Sequence, residues 1–387
     1  MNDRVLDDLL KCVRCGSCKA LCPTYGYDAS EPMSPRGRLV LLAGLYQGHL
    51  KPSPLLIERI ASCSLCGICE SLCPAGVDVT EAIYRGRSRL RPADGKRRRL
   101  RAALGFALRK PRLSFRAARL MRPLLPYIAR KADLPFELRL PEEPLRNGER
   151  VFKPQRSRGR VALFTGCSVN FLFPELGESL INVLYHLGFE VVLPPGEVCC
   201  GAPLRALGLE KEAVELAAKN MEIFGKLRAE AILSLCPTCT LATRVQYPKL
   251  IGQGMENAMD VSEFLAGRLR GVSLKKPGRV LYHDPCHLGH GLGVREQPRR
   301  ILRGLGLEVL EPPEQGCCGF SLSLTEREVS AGLLAGRLQE YREADTVVAP
   351  CPGCMMQLAR GRKRVLHIIE LIDEAMEQEE APPPERL

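Results

Sequence analysis

Apolar positions in the second half of the chain fall into short runs bounded by glycine, proline and cysteine, alternating with longer stretches of helical period. Short apolar runs between turn signals read as buried strands, and apolar residues three and four apart read as amphipathic helices. On that basis residues 160–164 form a strand, 174–187 a helix, 189–193 a strand, 210–228 a helix and 231–235 a strand. The order then repeats as a strand at 279–282, a helix at 297–305, a strand at 307–310, a helix at 326–344 and a strand at 346–349. The repetition marks a duplicated βαβαβ unit, each copy expected to form a small parallel sheet with helices on its faces.

The first 90 residues follow a different pattern. Residues 3–11 read as a short acidic helix, and Ser34-Pro35-Arg36-Gly37-Arg38 opens an apolar helix through Leu39, Val40, Leu42, Ala43 and Leu45 that Gly48 stops. A further helix spans Pro54 to Ser62 and another begins near Val79, so this part is expected to be all-α. Helical period returns around Leu100–Leu108 and Leu113–Leu125, broken by Pro111, Pro123 and Pro126, before a polar linker from Pro141 to Arg160. The fold class is therefore α+β and multidomain: a helical domain over 1–90, a basic helical linker segment over 91–158, and α/β modules over 159–270 and 271–387.

Charge sharpens this division. The net charge of +12 is concentrated between Arg85 and Arg160, where 24 lysines and arginines face 6 acidic residues, so the remainder is net acidic. The segment reads as a solvated or partner-covering helical hairpin, with docking on anionic lipid as the alternative. Phe106, Phe115 and Tyr127 form no stacking pattern, so a non-redox regulator binding nucleic acid through this segment is disfavoured. Arg36 and Arg38 read either as solvated helix-start residues or as cations beside an anionic cluster. No apolar run reaches the ~20 residues of a membrane-spanning helix.

Eighteen cysteines carry the chemistry. One phrase occurs twice, as Cys12-x-x-Cys15-x-x-Cys18-x-x-x-Cys22-Pro23 and as Cys63-x-x-Cys66-x-x-Cys69-x-x-x-Cys73-Pro74. A cube of iron and sulfide needs four converging thiolates, and three cysteines on a turning chain can cap three irons. In this spacing the cysteine before the proline serves the other cluster. The expected ligands are Cys12, Cys15, Cys18 and Cys73 for one [4Fe-4S] cube and Cys63, Cys66, Cys69 and Cys22 for the second. Zinc would leave the third and fourth cysteines and the prolines unexplained. Met1 to Leu10 is acidic and amphipathic rather than signal-like, so a reducing, cytoplasmic setting is expected and disulfides are not.

Each duplicated unit adds five cysteines after its strands: Cys167, Cys199, Cys200, Cys236 and Cys239, then Cys286, Cys317, Cys318, Cys351 and Cys354. They are expected at the carboxyl edge of the sheet, where α/β folds place ligands. Five thiols exceed the needs of zinc or one cube, leaving an unusual iron-sulfur centre, a cube plus a free thiol, or a dithiol cycling as a disulfide. His283 and His287 flank Cys286 and are the candidate catalytic groups, able to bond a cluster sulfide, ligate iron or carry a proton to a quinone or thiol. His290 lies in a glycine-rich loop, and His49, His186 and His367 read as structural or surface residues. No G-x-G-x-x-G follows a strand, so two-electron flavin or nicotinamide chemistry is expected on another chain.

The spacing Cys-x31-Cys-Cys-Gly-x34-Cys-x-x-Cys resembles the CCG module of heterodisulfide reductase subunits, which implies a non-cubane [4Fe-4S] cluster in each complete module. A two-cluster ferredoxin domain ahead of two such modules resembles the iron-sulfur subunits of glycolate oxidase and D-lactate dehydrogenase complexes, of anaerobic glycerol-3-phosphate dehydrogenase, and the fused heterodisulfide reductase subunit. Cys22-Pro23-Thr24-Tyr25, Ser34-Pro35-Arg36-Gly37-Arg38, Cys73-Pro74-x-Gly76-Val77 and Tyr282-His283-Asp284-Pro285-Cys286-His287-Leu288 are similar to the glycolate oxidase iron-sulfur subunit. That resemblance implies an electron-transfer subunit of an oxidoreductase, with an FAD-containing 2-hydroxy-acid oxidase as partner and a quinone or other carrier as acceptor. Many subunits of that family have an incomplete CCG module. Here both are complete, which keeps disulfide reduction at a CCG centre open as the rival activity.

Overall fold

Serine and aspartate caps fix where most of the first long helices begin. In the computed structural model, which describes residues 2–125, 127, 140–146, 148–269, 271–274, 278–314 and 316–377, these are α1 (Asn2–Leu10), α2 (Pro35–Tyr46), α3 (Pro54–Ala61) and α4 (Val79–Leu90). Ser34, Ser53 and Asp78 each accept a backbone N–H of the first turn of α2, α3 and α4, worth ~1 kcal/mol per cap. Leu39, Leu42, Ile57, Ile60 and Ile83 project from their apolar faces into a small core that also takes Leu9. The all-α expectation holds: among the described residues no strand precedes Arg150.

The basic segment forms α5 (Arg98–Arg109) and α6 (Pro111–Leu120), and it is not solvated throughout. Arg87 is buried and donates to the carbonyls of Ile60, Ala61 and Cys63 and, in the first module, Ala206. Arg101 donates to the carbonyl of Leu207, while Arg97 pairs with Asp94 and Glu326. A guanidinium carries five donors in a rigid fork, so one side chain can satisfy several carbonyls left open at helix ends. The arginines of this segment thereby join the helical domain to both modules. The other face stays open, with Phe106, Leu113, Leu120 and Leu124 exposed.

Two sheets follow. The first has the order β1-β3-β2-β4-β5, built from β1 (Arg150–Phe152), β2 (Gly159–Leu163), β3 (Phe189–Leu193), β4 (Ala231–Ser234) and β5 (Ala258–Asp260). The second has the order β7-β6-β8-β9, from β6 (Arg279–Tyr282), β7 (Glu308–Leu310), β8 (Thr346–Val348) and β9 (Arg364–Leu366). Apart from β1, which pairs antiparallel with β3, every pairing is parallel and the two orders match. The duplication is therefore structural. Each module carries a fourth parallel strand beyond the three legible in the sequence, and β1 lies inside the stretch that reads as linker. These three strands have three residues each, and each offers only two adjacent apolar residues between polar ones, too little to stand out as a strand.

The long helices of the modules are α7 (Pro174–His186), α8 (Glu210–Gly225), α9 (Glu296–Gly304), α10 (Arg327–Glu340), α11 (Pro352–Ala359) and α12 (Ile368–Glu377). Alternation along β2 sends Val161 and Leu163 to one face of the first sheet and Ala162 and Phe164 to the other. The first face shares a core with Val280, Leu281 and Val347 of the second sheet and with α12. The second face packs on α8 and on Leu104 and Leu108 of α5. His367, fully buried, donates from Nε2 to the Leu235 carbonyl at 3.1 Å, pinning the second module to the strand end that carries Cys236. Its structural reading is thus in keeping with its contacts.

Candidate functional site

Both ferredoxin-type turns curl through left-handed backbone. Arg14 and Gly16 in the first, and Leu65 and Gly67 in the second, have φ of 57°, 91°, 58° and 74°. A non-glycine residue there costs ~1–2 kcal/mol, and the curl turns successive thiols inward. Cys12, Cys15, Cys18 and Cys73, with Cys69, line one cavity; Cys22, Cys63, Cys66 and Cys69 line another. Each run thus sends its last cysteine to the other run's cavity. All 18 cysteines are free thiols, and four sulfur donors around one space fit a thiolate-ligated cube.

Two arginines frame these cavities. Arg36 donates to the Arg14 carbonyl at 3.0 Å and to Glu31, holding the first turn, and its hydrogen bond brings the Glu31 carboxyl down to about 2. Arg38 is not a solvated helix-start residue: it is 1% exposed and donates to the Arg59 carbonyl and Thr24 Oγ1. The Thr24 oxygen lies 3.4 Å from Cys22 Sγ. A carbonyl and a hydroxyl satisfy the guanidinium inside the protein, and its charge is left against the wall of the second cavity.

In the modules, Cys167, Cys236, Cys286 and Cys351 follow β2, β4, β6 and β8 at the carboxyl edge. Gly201 and Gly319 follow the cysteine pairs at φ 83° and 82°, and a Cβ on Gly319 would meet Leu333 and Ser330 at 3.0–3.1 Å. The thiols neighbour one another in an unbroken line: Cys167, Cys199, Cys200, Cys239 and Cys236 in the first module, then Cys351, Cys354, Cys318, Cys317 and Cys286 in the second. Cys318 and Cys354 are 3.4 Å apart and Cys286 and Cys317 4.0 Å apart. Beyond Cys317 the line reaches Cys66 of the helical domain, in a small apolar cluster with Ile68.

Buried thiols this close cannot all ionise. Hydrogen bonding to Cys199 and Cys239 brings the Cys200 thiol down to about 6 against the effect of burial. Cys239 pulls the same way on Cys236, but hydrogen bonding to Cys351 and burial push it up to about 12. Bound metal cations supply the charge that lets such a row become thiolates together.

Polar braces hold the row, and periodicity alone does not reveal them. In the first module Glu197 accepts from the Gly166 backbone N–H at 2.6 Å and from Thr165 Oγ1 at 3.0 Å, and pairs with buried Arg146 at 2.7 Å. Asn220 donates to the Cys199 carbonyl at 3.1 Å and to the Tyr247 hydroxyl, which itself donates to the Cys200 carbonyl. In the second module Gln357 donates to the Cys318 carbonyl at 3.1 Å, and Arg299 pairs with Asp284 and Glu311. Asn220 was findable, since it interrupts the apolar stripe of Ala213, Ala217 and Phe224 on α8.

The two candidate histidines part company. His287 is bonded at both ring nitrogens, to Thr238 Oγ1 at 2.8 Å and to the Leu65 carbonyl at 3.1 Å, so it ties the first module and the helical domain to the second. It begins a π-helical turn, His287–Gly291, that also contains His290, where the sequence suggested a loop. His283 is 1% exposed and burial pushes it down to about 4, so it is neutral. A ring nitrogen of His283 and the sulfurs of Cys318 and Cys354 lie within 4.8 Å of one another. His186 packs on Tyr185, and His49 is exposed.

Comparison with known proteins agrees with this layout. The 4Fe-4S dicluster domain family matches residues 8–77, and the cysteine-rich CCG domain family matches residues 161–244 and 280–359. The glycolate oxidase iron-sulfur subunit of Escherichia coli is 29% identical over 413 residues, covering 98% of this chain and 97% of that protein. One of the subunits of the dihydromethanophenazine:CoB–CoM heterodisulfide reductase of Methanosarcina barkeri is 27% identical over 96% of this chain and 95% of its own length. A subunit of the fumarate reductase (CoM/CoB) of Methanothermobacter marburgensis is 29% identical over 94% of this chain and 72% of its length. A hypothetical protein from Helicobacter pylori has the same fold at TM-score 0.55 and 13% identity, over 90% of this chain and 69% of that one.

Proposed function

Because the chain belongs to the family of iron-sulfur electron-transfer subunits that join a 4Fe-4S dicluster domain to two CCG domains, we propose that it serves an FAD-linked 2-hydroxy-acid oxidase of the glycolate or D-lactate type. The observation that carries the reading is the unbroken line of thiols from Cys66 through both modules. Cys12, Cys15, Cys18 and Cys73 hold one cube, Cys63, Cys66, Cys69 and Cys22 the second, and the five cysteines of each module hold a further centre. Iron-sulfur clusters bound there supply one-electron transfer between a flavin and a quinone or other carrier. The chain's own residues place the sites: Arg87 and Arg97 fix the helical domain on the modules, and Arg36 and Arg38 set positive charge at the cube cavities.

The open face of α5 and α6 supports a peripheral contact with the cytoplasmic side of the membrane. Leu120, 86% exposed, Leu124 and Phe106 stand among arginines, the composition of an interfacial helix that meets anionic lipid. No described helix is long and apolar enough to cross a membrane.

Anaerobic isolation of the native complex tests the reading. Recovery with an FAD-bearing oxidase whose 2-hydroxy acid bleaches the cluster absorption supports it. Recovery with a heterodisulfide-reductase-type flavoprotein or a b-type cytochrome, and no such oxidase, sinks it in favour of the second reading. That reading, reduction of a disulfide at a CCG centre, is favoured by one observation: both modules keep all five thiols.

A further inference from the structure

One difference between the modules lies three residues before the first of their matching cysteines. There stand Phe164 and His283, and near the end of the helix after each cysteine pair stand Phe224 and Tyr341. In the first module the two rings pack in a tilted pair with centroids 5.3 Å apart, an apolar contact inside the core that also holds Cys199 and Cys239. The second module replaces it with a hydrogen-bonded pair: the rings lie 5.9 Å apart and His283 Nδ1 is 2.7 Å from the Tyr341 hydroxyl. His283 Nε2 is buried and has no hydrogen-bond partner among the described residues.

The tautomer follows from counting donors. Tyr341 is 1% exposed, and its hydroxyl has His283 Nδ1 within hydrogen-bond reach. If Nδ1 carried the proton, the tyrosine hydrogen would be buried without an acceptor, at a cost of ~1–3 kcal/mol. With the hydroxyl donating to Nδ1, the ring carries its proton on Nε2. A ring nitrogen of His283 and the sulfurs of Cys318 and Cys354 lie within 4.8 Å of one another, and with Nδ1 taken by Tyr341, Nε2 is the nitrogen left free to donate to them.

From this geometry we infer that His283, oriented by Tyr341, donates an N–H···S hydrogen bond to the second CCG centre, a bond that the first centre lacks. The inference rests on that module holding a cluster. A donor aimed at sulfur stabilises the added electron, because reduction raises the negative charge on sulfur. The second centre, which sits beside Cys66, therefore has the higher potential of the two. His283 is a positioning and tuning residue here, and no proton transfer is assigned to it.

The test is electron-nuclear double resonance on the holoprotein in H2O and D2O, with 15N-histidine labelling, together with a redox titration. The wild type is expected to show one exchangeable proton and a weak histidine nitrogen coupling at the second centre. His283→Phe, which copies the first module, is expected to lose both signals and lower that centre's potential while leaving its iron content intact. His283→Gln restores the proton coupling, and Tyr341→Phe weakens it. A strong nitrogen coupling diagnostic of an iron–nitrogen bond, or no exchangeable proton in the wild type, overturns the inference. Absence of any second-module cluster signal overturns the functional reading instead, so the two failures are separable.

Discussion

The two CCG modules carry the same five thiols on sheets of the same order, yet they are braced differently. In the first, the Glu197–Arg146 pair is sealed inside, with side chains 1% and 3% exposed. In the second, Arg299 divides its donors between buried Asp284 and Glu311, whose side chain is 38% exposed. An aromatic contact, Phe164 on Phe224, answers to a polar one, His283 on Tyr341. The duplication thus keeps the sulfur donors and varies the dielectric and hydrogen bonding around them, which is how a protein gives chemically similar centres different potentials.

The sharpest way to break the comparison is to delete one centre at a time. Cys200→Ser and Cys318→Ser are expected to remove iron from their own module alone, leave the two cube signals in place, and abolish electron delivery through the chain. Iron analysis and electron paramagnetic resonance check this. Loss of iron from both modules in either variant would mean that the modules share one centre across Cys236 and Cys351.

A smaller effect separates the braces. Glu197→Ala strands a buried guanidinium and is expected to cost ~3–5 kcal/mol in denaturant unfolding. Glu311→Ala, at a partly exposed pair, is expected to cost ~1 kcal/mol or less. Equal losses would contradict the asymmetry. Between those two, Asn220→Ala and Gln357→Ala each unpair a carbonyl beside a cysteine pair and are expected to cost ~1–3 kcal/mol. Asn220→Ala is expected to cost the more, since it also leaves the buried Val198 N–H without its acceptor.

Much of this was legible because cysteine spacing and apolar runs are local. The strands around Phe189 and Arg279, the helices of the first domain and the duplication all follow from the sequence. By contrast, β5 and β9 each offer only two adjacent apolar residues, Ala258–Met259 and Val365–Leu366, between polar ones, and do not stand out as strands. The braces were hidden for another reason. Arg87 and Arg146 look like any members of a basic run, and only the fold reveals that carbonyls of Ala206 and Pro194 wait for them. Likewise His283 and His287 stand alike around Cys286 in the sequence, while the structure leaves an open nitrogen on one and binds both nitrogens of the other.

The central claim is that both modules hold iron in line with the two cubes. Mössbauer spectroscopy of the 57Fe-loaded chain, purified without oxygen, tests it most directly. The account predicts iron beyond that of two cubes, in sites spectroscopically distinct from them. If all the iron fits two [4Fe-4S] cubes and the module cysteines react as free thiols, the account is contradicted.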